Sequence, residues 1–184
     1  YAFSDCISIV EIQLPNAVSS IGNYAFSGCI SIEKFNGDTD GKMILPKNII
    51  EIGEYAFQNL ELITKVVIPD SVTSIGVGAF KGCNAIEDIT LPFVGKWEQT
   101  SSTYETVFGY IFGYTGSDTD GTVRQYDYYH YYYIPSTINN VTITVQTAIP
   151  ANAFKNCSFI ESITLPTTIT SVGEYAFYNC KGLT

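Results

Sequence analysis

A repeated Ala-Phe dipeptide is the feature that most constrains what this chain can fold into. It occurs six times, at Ala2-Phe3, Ala25-Phe26, Ala56-Phe57, Ala79-Phe80, Ala153-Phe154 and Ala176-Phe177. Successive copies are 23, 31, 23, 74 and 23 residues apart, so the unit is 23 residues long with two interruptions. A fixed period of this length is typical of a solenoid, in which each unit packs only on its neighbours. The sequence therefore predicts a single repeat array over residues 1–184.

Each unit is predicted to contain one short strand and one turn. Apolar and polar residues alternate over Val10–Leu14 and again over Glu161–Leu165, as expected for a strand with one buried face. Pro15 and Pro166 follow directly and end these strands, because proline has no N–H for the sheet. The segment Gly-x-x-Ala-Phe-x-x-Cys suits a single helical or 3₁₀ turn. Stacked at the ~4.8 Å strand spacing, such units give an α/β-type repeat solenoid with one parallel sheet on one face and short turns or loops on the other.

The phenylalanines and cysteines of the repeat each occupy a fixed column. The repeated Phe is expected to form a ladder of rings down the core. The five cysteines each stand three residues after a repeat Phe, and Leu60 holds that place in the remaining unit: Cys6, Cys29, Cys83, Cys157 and Cys180. A column that accepts either Cys or Leu is a buried apolar column. The odd number of cysteines and their single column argue against disulfides. The cysteines are therefore predicted to be buried free thiols.

Charge and hydropathy exclude several kinds of partner. The net charge is -9, and the chain has only nine Lys and Arg residues. Nucleic acids and anionic membranes attract clustered basic residues, so neither is expected as a partner. No apolar run reaches the ~18 residues of a membrane span, so no membrane insertion is expected within the chain. Both ends fall in mid-repeat, so we expect a fragment of a longer array whose signal and anchor lie outside it.

The repeat also resembles a known family. Its pattern is Leu-Pro-x-x-Val-x-x-Ile-Gly-x-x-Ala-Phe-x-x-Cys-x-x-Ile-x-x-Ile, which Leu14–Phe35 illustrates, with Phe35 in the last place. This pattern resembles the BspA-like leucine-rich repeat of bacterial and protist surface proteins. The resemblance implies a curved leucine-rich repeat solenoid, a secreted or cell-surface location, and adhesion to a host matrix or surface protein or to other cells. It carries over no ligand residue, because ligands differ between members.

The first interruption adds eight residues, Asn36–Met43. The Asp40-Gly41 pair predicts a turn, and with it a small hairpin insertion over 36–43 that projects from the sheet. Asn36, Asp38, Asp40 and Gly41 also match the start of a calcium loop, although Lys47 stands where a closing Glu belongs. Two interpretations stay open here, a plain turn and a calcium site at Asn36, Asp38 and Asp40.

The second interruption, Phe93–Ser136, is rich in aromatic residues. It holds the only Trp, the only His and nine of the fourteen Tyr residues. The spacing of Val107, Tyr110, Ile111 and Tyr114 predicts a short amphipathic helix, and Tyr126–Tyr133 a strand. So many aromatic rings either pack the insertion onto the array or form an exposed patch for a partner.

These aromatic residues are the candidate ligand-binding residues: Trp97, Tyr110, Tyr114, Tyr126, Tyr128, Tyr129, His130 and Tyr131. Tyrosine and tryptophan are enriched where proteins bind proteins, since they offer rigid apolar area with one polar group. The leading interpretation is a protein-binding module. A carbohydrate-binding protein, with the rings stacked on sugars, is the alternative. A structural spacer is the third.

The exposed positions of the strands offer a second surface. They form two columns, one of Glu11, Lys34, Lys65, Asp88, Asn140 and Ser162 and one of Gln13, Val67, Thr90, Thr142 and Thr164. Because these columns are mixed in charge, we expect no strong charge-driven site on the sheet.

No set of residues indicates catalysis. His130 is the only histidine, and the cysteines belong to the core column, so no pair of nucleophile and base is evident. The chain is therefore predicted not to be an enzyme, and calcium is the only cofactor with any support.

Overall fold

The computed structural model describes residues 1–36, 41–96, 106–114, 122–126 and 130–184. Within these ranges the chain consists of short strands, one 3₁₀ helix and turns. The elements are β1 Glu11–Ile12, β2 Ser20–Ile21, β3 Lys34–Phe35, β4 Lys42–Ile44, β5 Glu51–Ile52, β6 Lys65–Val67, β7 Ser74–Ile75, β8 Asp88–Leu91, the 3₁₀ helix Phe108–Phe112, β9 Thr122–Tyr126, β10 Tyr131–Pro135, β11 Asn140–Ile143, β12 Ala148–Ile149, β13 Ser162–Thr164 and β14 Ser171–Val172.

A parallel sheet of seven strands runs along one side of the array, and we call it the main sheet. Its strand order is β1-β3-β4-β6-β8-β11-β13. Each strand turns at least one apolar residue inward, and Met43, Val66 and Ile89 are buried neighbours in this row. The opposite side carries the shorter parallel sheets β2-β5-β7 and β12-β14. The predicted repeat solenoid is confirmed.

The Ala-Phe turns form a ladder of backbone hydrogen bonds and stacked rings. The N–H of Phe3, Phe26 and Phe57 each donates to the alanine carbonyl of the next turn, at 2.8 Å. The rings of Phe57 and Phe80 lie 5.3 Å apart between centroids, and those of Phe154 and Phe177 lie 5.6 Å apart. The predicted phenylalanine ladder is confirmed.

The cysteines are free, and Cys29, Cys83 and Cys157 are buried. The Cys83 thiol donates to the carbonyl of Phe57 at 3.1 Å, and the Cys180 thiol donates to the carbonyl of Phe154 at 3.0 Å. Burial raises the pKa of Cys83 to about 12. All five thiols are free, as predicted, but burial holds for only three of them, since Cys6 and Cys180 in the first and last coils are half-buried.

The hairpin predicted at the first interruption is wrong. β3 and β4 flank the interruption and pair in parallel, with Phe35 opposite Met43. Both side chains are fully buried, and the Phe35 ring packs edge-on against Phe26 and Phe57 at 4.9 and 5.4 Å. Burial of an apolar residue from each flank keeps both strands in the sheet, which a projecting hairpin would not allow. The interruption therefore adds a strand to the main sheet, whereas on the opposite side β2 pairs directly with β5.

At the second interruption the chain first completes another coil. The carbonyl of Lys96 accepts from Ile75 N at 2.8 Å and so continues the row of β7. The 3₁₀ helix then enters the turn ladder: Phe80 N donates to the carbonyl of Ile111, and Phe108 N donates to the carbonyl of Ala153, both at 2.8 Å.

The ring ladder continues through this helix as well. The Phe108 ring lies 5.3 Å from Phe112 and 5.2 Å from Phe154. The 74-residue gap between two Ala-Phe pairs thus hides a divergent turn, in which Tyr110-Ile111-Phe112 stands where Tyr-Ala-Phe stands elsewhere.

The remainder of the second interruption forms a hairpin of β9 and β10. The two strands are antiparallel, with Tyr126 opposite Tyr131 and Ile134 opposite Val123. The predicted single strand over Tyr126–Tyr133 is therefore wrong, since these residues divide between two strands. The predicted helix is present as the 3₁₀ helix, but all five of its residues are buried, so its predicted amphipathic character is wrong.

Candidate functional site

A fully buried glutamine attaches the β9–β10 hairpin to the array. Gln125 Oε1 accepts from Gly109 N at 2.6 Å, and its Nε2 lies 3.0 Å from the carbonyl oxygen of Ala153. The same nitrogen lies 3.2 Å from the carbonyl of Asn152 and 3.3 Å from that of Lys155. One side chain therefore joins the hairpin to the 3₁₀ helix and to the next Ala-Phe turn.

Glycine is needed where the hairpin crosses the helix. A Cβ at Gly109 would lie 2.4 Å from Cβ of Tyr132, which is closer than any side chain tolerates. Tyr132 is buried at this crossing, opposite Gln125 in the ladder. The hairpin is thus held by close packing as well as by hydrogen bonds.

The two faces of the hairpin differ in exposure, since successive side chains of a strand point to opposite faces. Gln125, Tyr132 and Ile134 are buried on the inner face. Tyr126 and Tyr131 on the outer face are 46% and 50% exposed, with ring centroids 4.7 Å apart. Arg124 Cζ lies 5.6 Å from the centre of the Tyr131 ring, within cation–π range.

A second aromatic pair lies at the same end of the hairpin. Tyr114 is 41% exposed, and its ring lies 4.7 Å from that of His130. The half-buried His130 directly precedes β10, and its ring lies 6.1 Å from that of the buried Tyr132. We call Tyr114, Tyr126, His130 and Tyr131 the tip cluster, because one ring pair contains Tyr126 and Tyr131 and the other contains His130, the residue directly before Tyr131.

The structure divides the candidate ligand-binding residues into three groups. Four of them form the two ring pairs of the tip cluster, Tyr126–Tyr131 on the outer face and Tyr114–His130 beside the inner-face Tyr132. Tyr110 is instead buried, with 7% exposure and its ring 6.3 Å from that of Tyr132. Trp97, Tyr128 and Tyr129 lie outside the described residues, and their participation stays a prediction.

The proposed calcium ligands are described only at Asn36. Its Oδ1 accepts from Leu14 N at 2.7 Å, and its Nδ2 donates to the carbonyl of Leu14 at 2.8 Å. In this arrangement the amide joins two coils. Asp38 and Asp40 lie outside the described residues, so calcium binding stays a prediction.

In the part of the chain that the structure describes, no three His, Cys, Asp or Glu side chains are grouped so that they could hold a metal ion. In the same ranges, no helix has the length and apolar character needed to cross a membrane.

Sequence reasoning missed Gln125, Gly109 and Arg124. The signal for Gln125 is its alternation with Tyr126 and Arg124, which places a single polar residue on the inner face of a strand. Without knowledge of the pairing partner, that face cannot be identified as buried.

The comparisons with known proteins agree with the fold. A model of the BspA type leucine rich repeat region matches in six copies, over residues 1–101, 33–144 and 124–184. This chain belongs to the BspA-type leucine-rich repeat family. No curated protein matches it.

Solved structures of bacterial leucine-rich repeat proteins are similar to the chain. A protein from T. pallidum matches with a TM-score of 0.52 at 19% identity, over 100% of this chain and 69% of that one. One from Eubacterium ventriosum matches with a TM-score of 0.57 at 19% identity, over 96% of this chain and 38% of that one. A leucine rich cell surface protein from Faecalibacterium prausnitzii matches with a TM-score of 0.45 at 26% identity, over 100% of this chain and 42% of that one. The first two show the same fold, and the chain spans less than half of the Eubacterium ventriosum protein.

Proposed function

We propose that this chain is a non-catalytic, cell-surface or secreted leucine-rich repeat module that binds a protein partner through the tip cluster. The partner class is a host matrix or surface protein, or a protein of another cell, so that the module acts in adhesion. The observation that carries the proposal is the exposure of Tyr114, Tyr126 and Tyr131 at 41%, 46% and 50%, in an insertion whose described Phe and Ile side chains are buried.

The chemistry of the tip cluster favours a protein partner. Exposed tyrosines next to a cation are typical of interface hot spots, where a few aromatic and Arg side chains contribute most of the binding energy. Arg124 beside Tyr131 supplies that combination.

The way the hairpin is held supports the same proposal. Binding is weakened by the entropy lost when a mobile surface becomes ordered, so a surface that is already rigid binds more tightly. Gln125 and the close contact at Gly109 attach the hairpin to two coils of the array. The tip cluster is therefore presented on a fixed base.

The test is binding to a panel of immobilised host matrix proteins. The variant Tyr126→Ala/Tyr131→Ala is expected to lose about 2 kcal/mol of binding free energy, or roughly 30-fold in affinity. Tyr175→Ala/Tyr178→Ala is the matched control, since these two tyrosines are comparably exposed and lie outside the hairpin. Equal losses in both variants would contradict a site at the tip. If the unaltered protein bound no member of the panel, the spacer interpretation would gain.

Carbohydrate binding is the second candidate. The tilted Tyr126–Tyr131 pair, with 33° between the ring planes, offers exposed ring surface on which a sugar can stack. Binding on a glycan array that is abolished by Trp97→Ala or Tyr129→Ala would favour this candidate. Protein capture that is unaffected by the same changes would instead favour a site elsewhere on the array.

Calcium at Asn36, Asp38 and Asp40 is proposed as a stabilising ion and has no part in binding the partner. Its removal is expected to lower the melting temperature, because a ligand that binds only the folded state stabilises it. An unchanged melting temperature after chelation would reject calcium.

A further inference from the structure

The strand that the first interruption adds places three lysines side by side on the exposed face of the main sheet. Lys34 in β3 pairs in register with Lys42 in β4, and Lys42 pairs in register with Lys65 in β6. Neighbouring strands lie about 4.8 Å apart, so the three residues span about 10 Å of the sheet. We call Lys34, Lys42 and Lys65 the lysine file.

The lysine file points away from the core. The residues that follow its members in the strands, Phe35, Met43 and Val66, are fully buried. Side chains alternate along a strand, so the lysines lie on the opposite, outer face. Lys65 is the most open of them, with 49% of its side chain exposed.

Acidic residues border the lysine file at both ends. Glu11 pairs with Lys34 on one side, and Asp88 pairs with Lys65 on the other. Lys65 Nζ lies 3.4 Å from Asp88 Oδ2, while Asn140 Nδ2 donates to Asp88 Oδ1 at 2.8 Å. The lysine file is therefore a short strip of positive charge that ends at an acidic residue on each side.

The lysine file is a local concentration of positive charge in an acidic chain. This chain has nine basic residues against eighteen acidic ones, yet three of the nine stand in neighbouring strands of the main sheet. The file is therefore the place on the described sheet face where an acidic partner segment meets the most positive charge.

Next to the lysine file on the same face of the main sheet lie two apolar side chains. Ile44 in β4 pairs with Val67 in β6, and both are half-buried. A short positive strip thus lies beside a short apolar strip.

We propose that the lysine file, together with Ile44 and Val67, docks a short acidic segment of a partner protein, in which two or three carboxylates alternate with apolar residues. Charge complementarity selects such a segment, since carboxylates meet the lysines and apolar side chains meet Ile44 and Val67. A long polyanion, such as nucleic acid or a sulfated glycan, would extend beyond 10 Å and meet Glu11 or Asp88. This surface is separate from the tip cluster and is tested independently of it.

The experiment measures the fluorescence anisotropy of a labelled synthetic peptide in which glutamates alternate with valines. The control peptide has glutamine in place of each glutamate. Lys42→Gln/Lys65→Gln removes two charges from the file, and Lys47→Gln/Lys181→Gln removes two exposed lysines outside it. A chelator is present throughout, because the calcium proposal concerns the connection between β3 and β4.

We expect the file variant to bind the glutamate peptide about tenfold more weakly and the control variant to change by less than about twofold. Higher ionic strength should weaken binding, and the glutamine peptide should bind poorly. Lys42→Arg should retain binding, and the file variant should keep its melting temperature, which separates recognition from a structural role.

Three results would overturn the proposal. One is equal weakening in the file and control variants. Another is the failure of the unaltered protein to bind the glutamate peptide. The third is tighter, file-dependent binding of heparin, which would assign the file to sulfated glycans. The tip-cluster variant Tyr126→Ala/Tyr131→Ala should bind the peptide like the unaltered protein, so the two proposals can fail separately.

Discussion

The first interruption lengthens the main sheet, whereas the second leaves the strand order of that sheet intact and places a hairpin outside it. Around the first interruption, β3 pairs with β4 and the sheet gains a strand. Across the second, β8 pairs directly with β11 although 48 residues separate their ends. In both places the buried apolar residues keep the array continuous, through Met43 in one and Phe108 and Phe112 in the other.

The difference follows from which part of the coil the extra residues lengthen. The eight added residues follow the apolar Phe35 and end with the apolar Met43, and they suffice for one more strand. The opposite side of the coil is unchanged, since β2 still pairs with β5. The longer insertion supplies its own turn residues, so it can complete a coil before the hairpin begins. A few buried side chains therefore keep the core continuous, and the residues between them form the surfaces that differ from the ordinary repeat.

The largest expected effect tests whether the 3₁₀ helix is part of the core. Phe112→Ala should lower the free energy of unfolding by about 3–5 kcal/mol, as truncation of a fully buried Phe does. Phe57→Ala, in an ordinary turn, should cost a similar amount when both are compared by urea denaturation. A loss near the ~0.5 kcal/mol of a surface change, as expected for Tyr126→Ala, would mean that the insertion packs separately from the ladder.

The next effect tests the added strand. Met43→Ala should cost about 2–5 kcal/mol, because it leaves a cavity between Phe35 and Val66 in the main sheet. Thermal and urea denaturation would measure the change, with Lys47→Ala as an exposed control in the same segment. A change at Met43 no larger than that at Lys47 would contradict the added strand and favour the projecting hairpin.

A smaller and local effect tests how the hairpin is attached. Gln125→Met keeps the volume but leaves the buried Gly109 N without its partner, at a cost of about 1–3 kcal/mol, while the Ala153 carbonyl keeps its bond from Phe108 N. Limited proteolysis should then cut the hairpin faster, while hydrogen exchange in β6 and β8 stays unchanged. Arg124→Met, on the outer face, is the control and should leave the proteolysis rate as it was.

Much of the fold could be predicted from the period alone. The Ala-Phe and Cys columns identified the ring ladder and the buried thiols, because a repeated position has the same surroundings in every coil. The Tyr110-Ile111-Phe112 turn escaped prediction, since it lacks both the alanine and the cysteine of the repeat. Its remaining signal is a tyrosine two residues before a phenylalanine, as in Tyr24-Ala25-Phe26.

The candidate site was less predictable than the fold. Tyrosine is buried at positions 110 and 132 and exposed at positions 126 and 131, so residue type alone cannot predict the exposure of these side chains. What separates them is the pairing of β9 with β10 and the hydrogen bonds of Gln125. The lysine file could not be predicted for a similar reason, because the sequence pattern assigns Lys42 to a hairpin, whereas the structure pairs it with Lys34 and Lys65.

By itself, the sequence determined the repeat period, the core columns, the parallel sheet and the family. These follow from local spacing, which every coil repeats and which the burial of Phe, Ile and Cys enforces. Only the tertiary structure decided the direction of β4, the exposure of the tip cluster and the alignment of the lysine file. Those properties depend on which distant segment lies beside each strand. A register shift of one residue, about 3.4 Å, is enough to exchange an exposed side chain for a buried one.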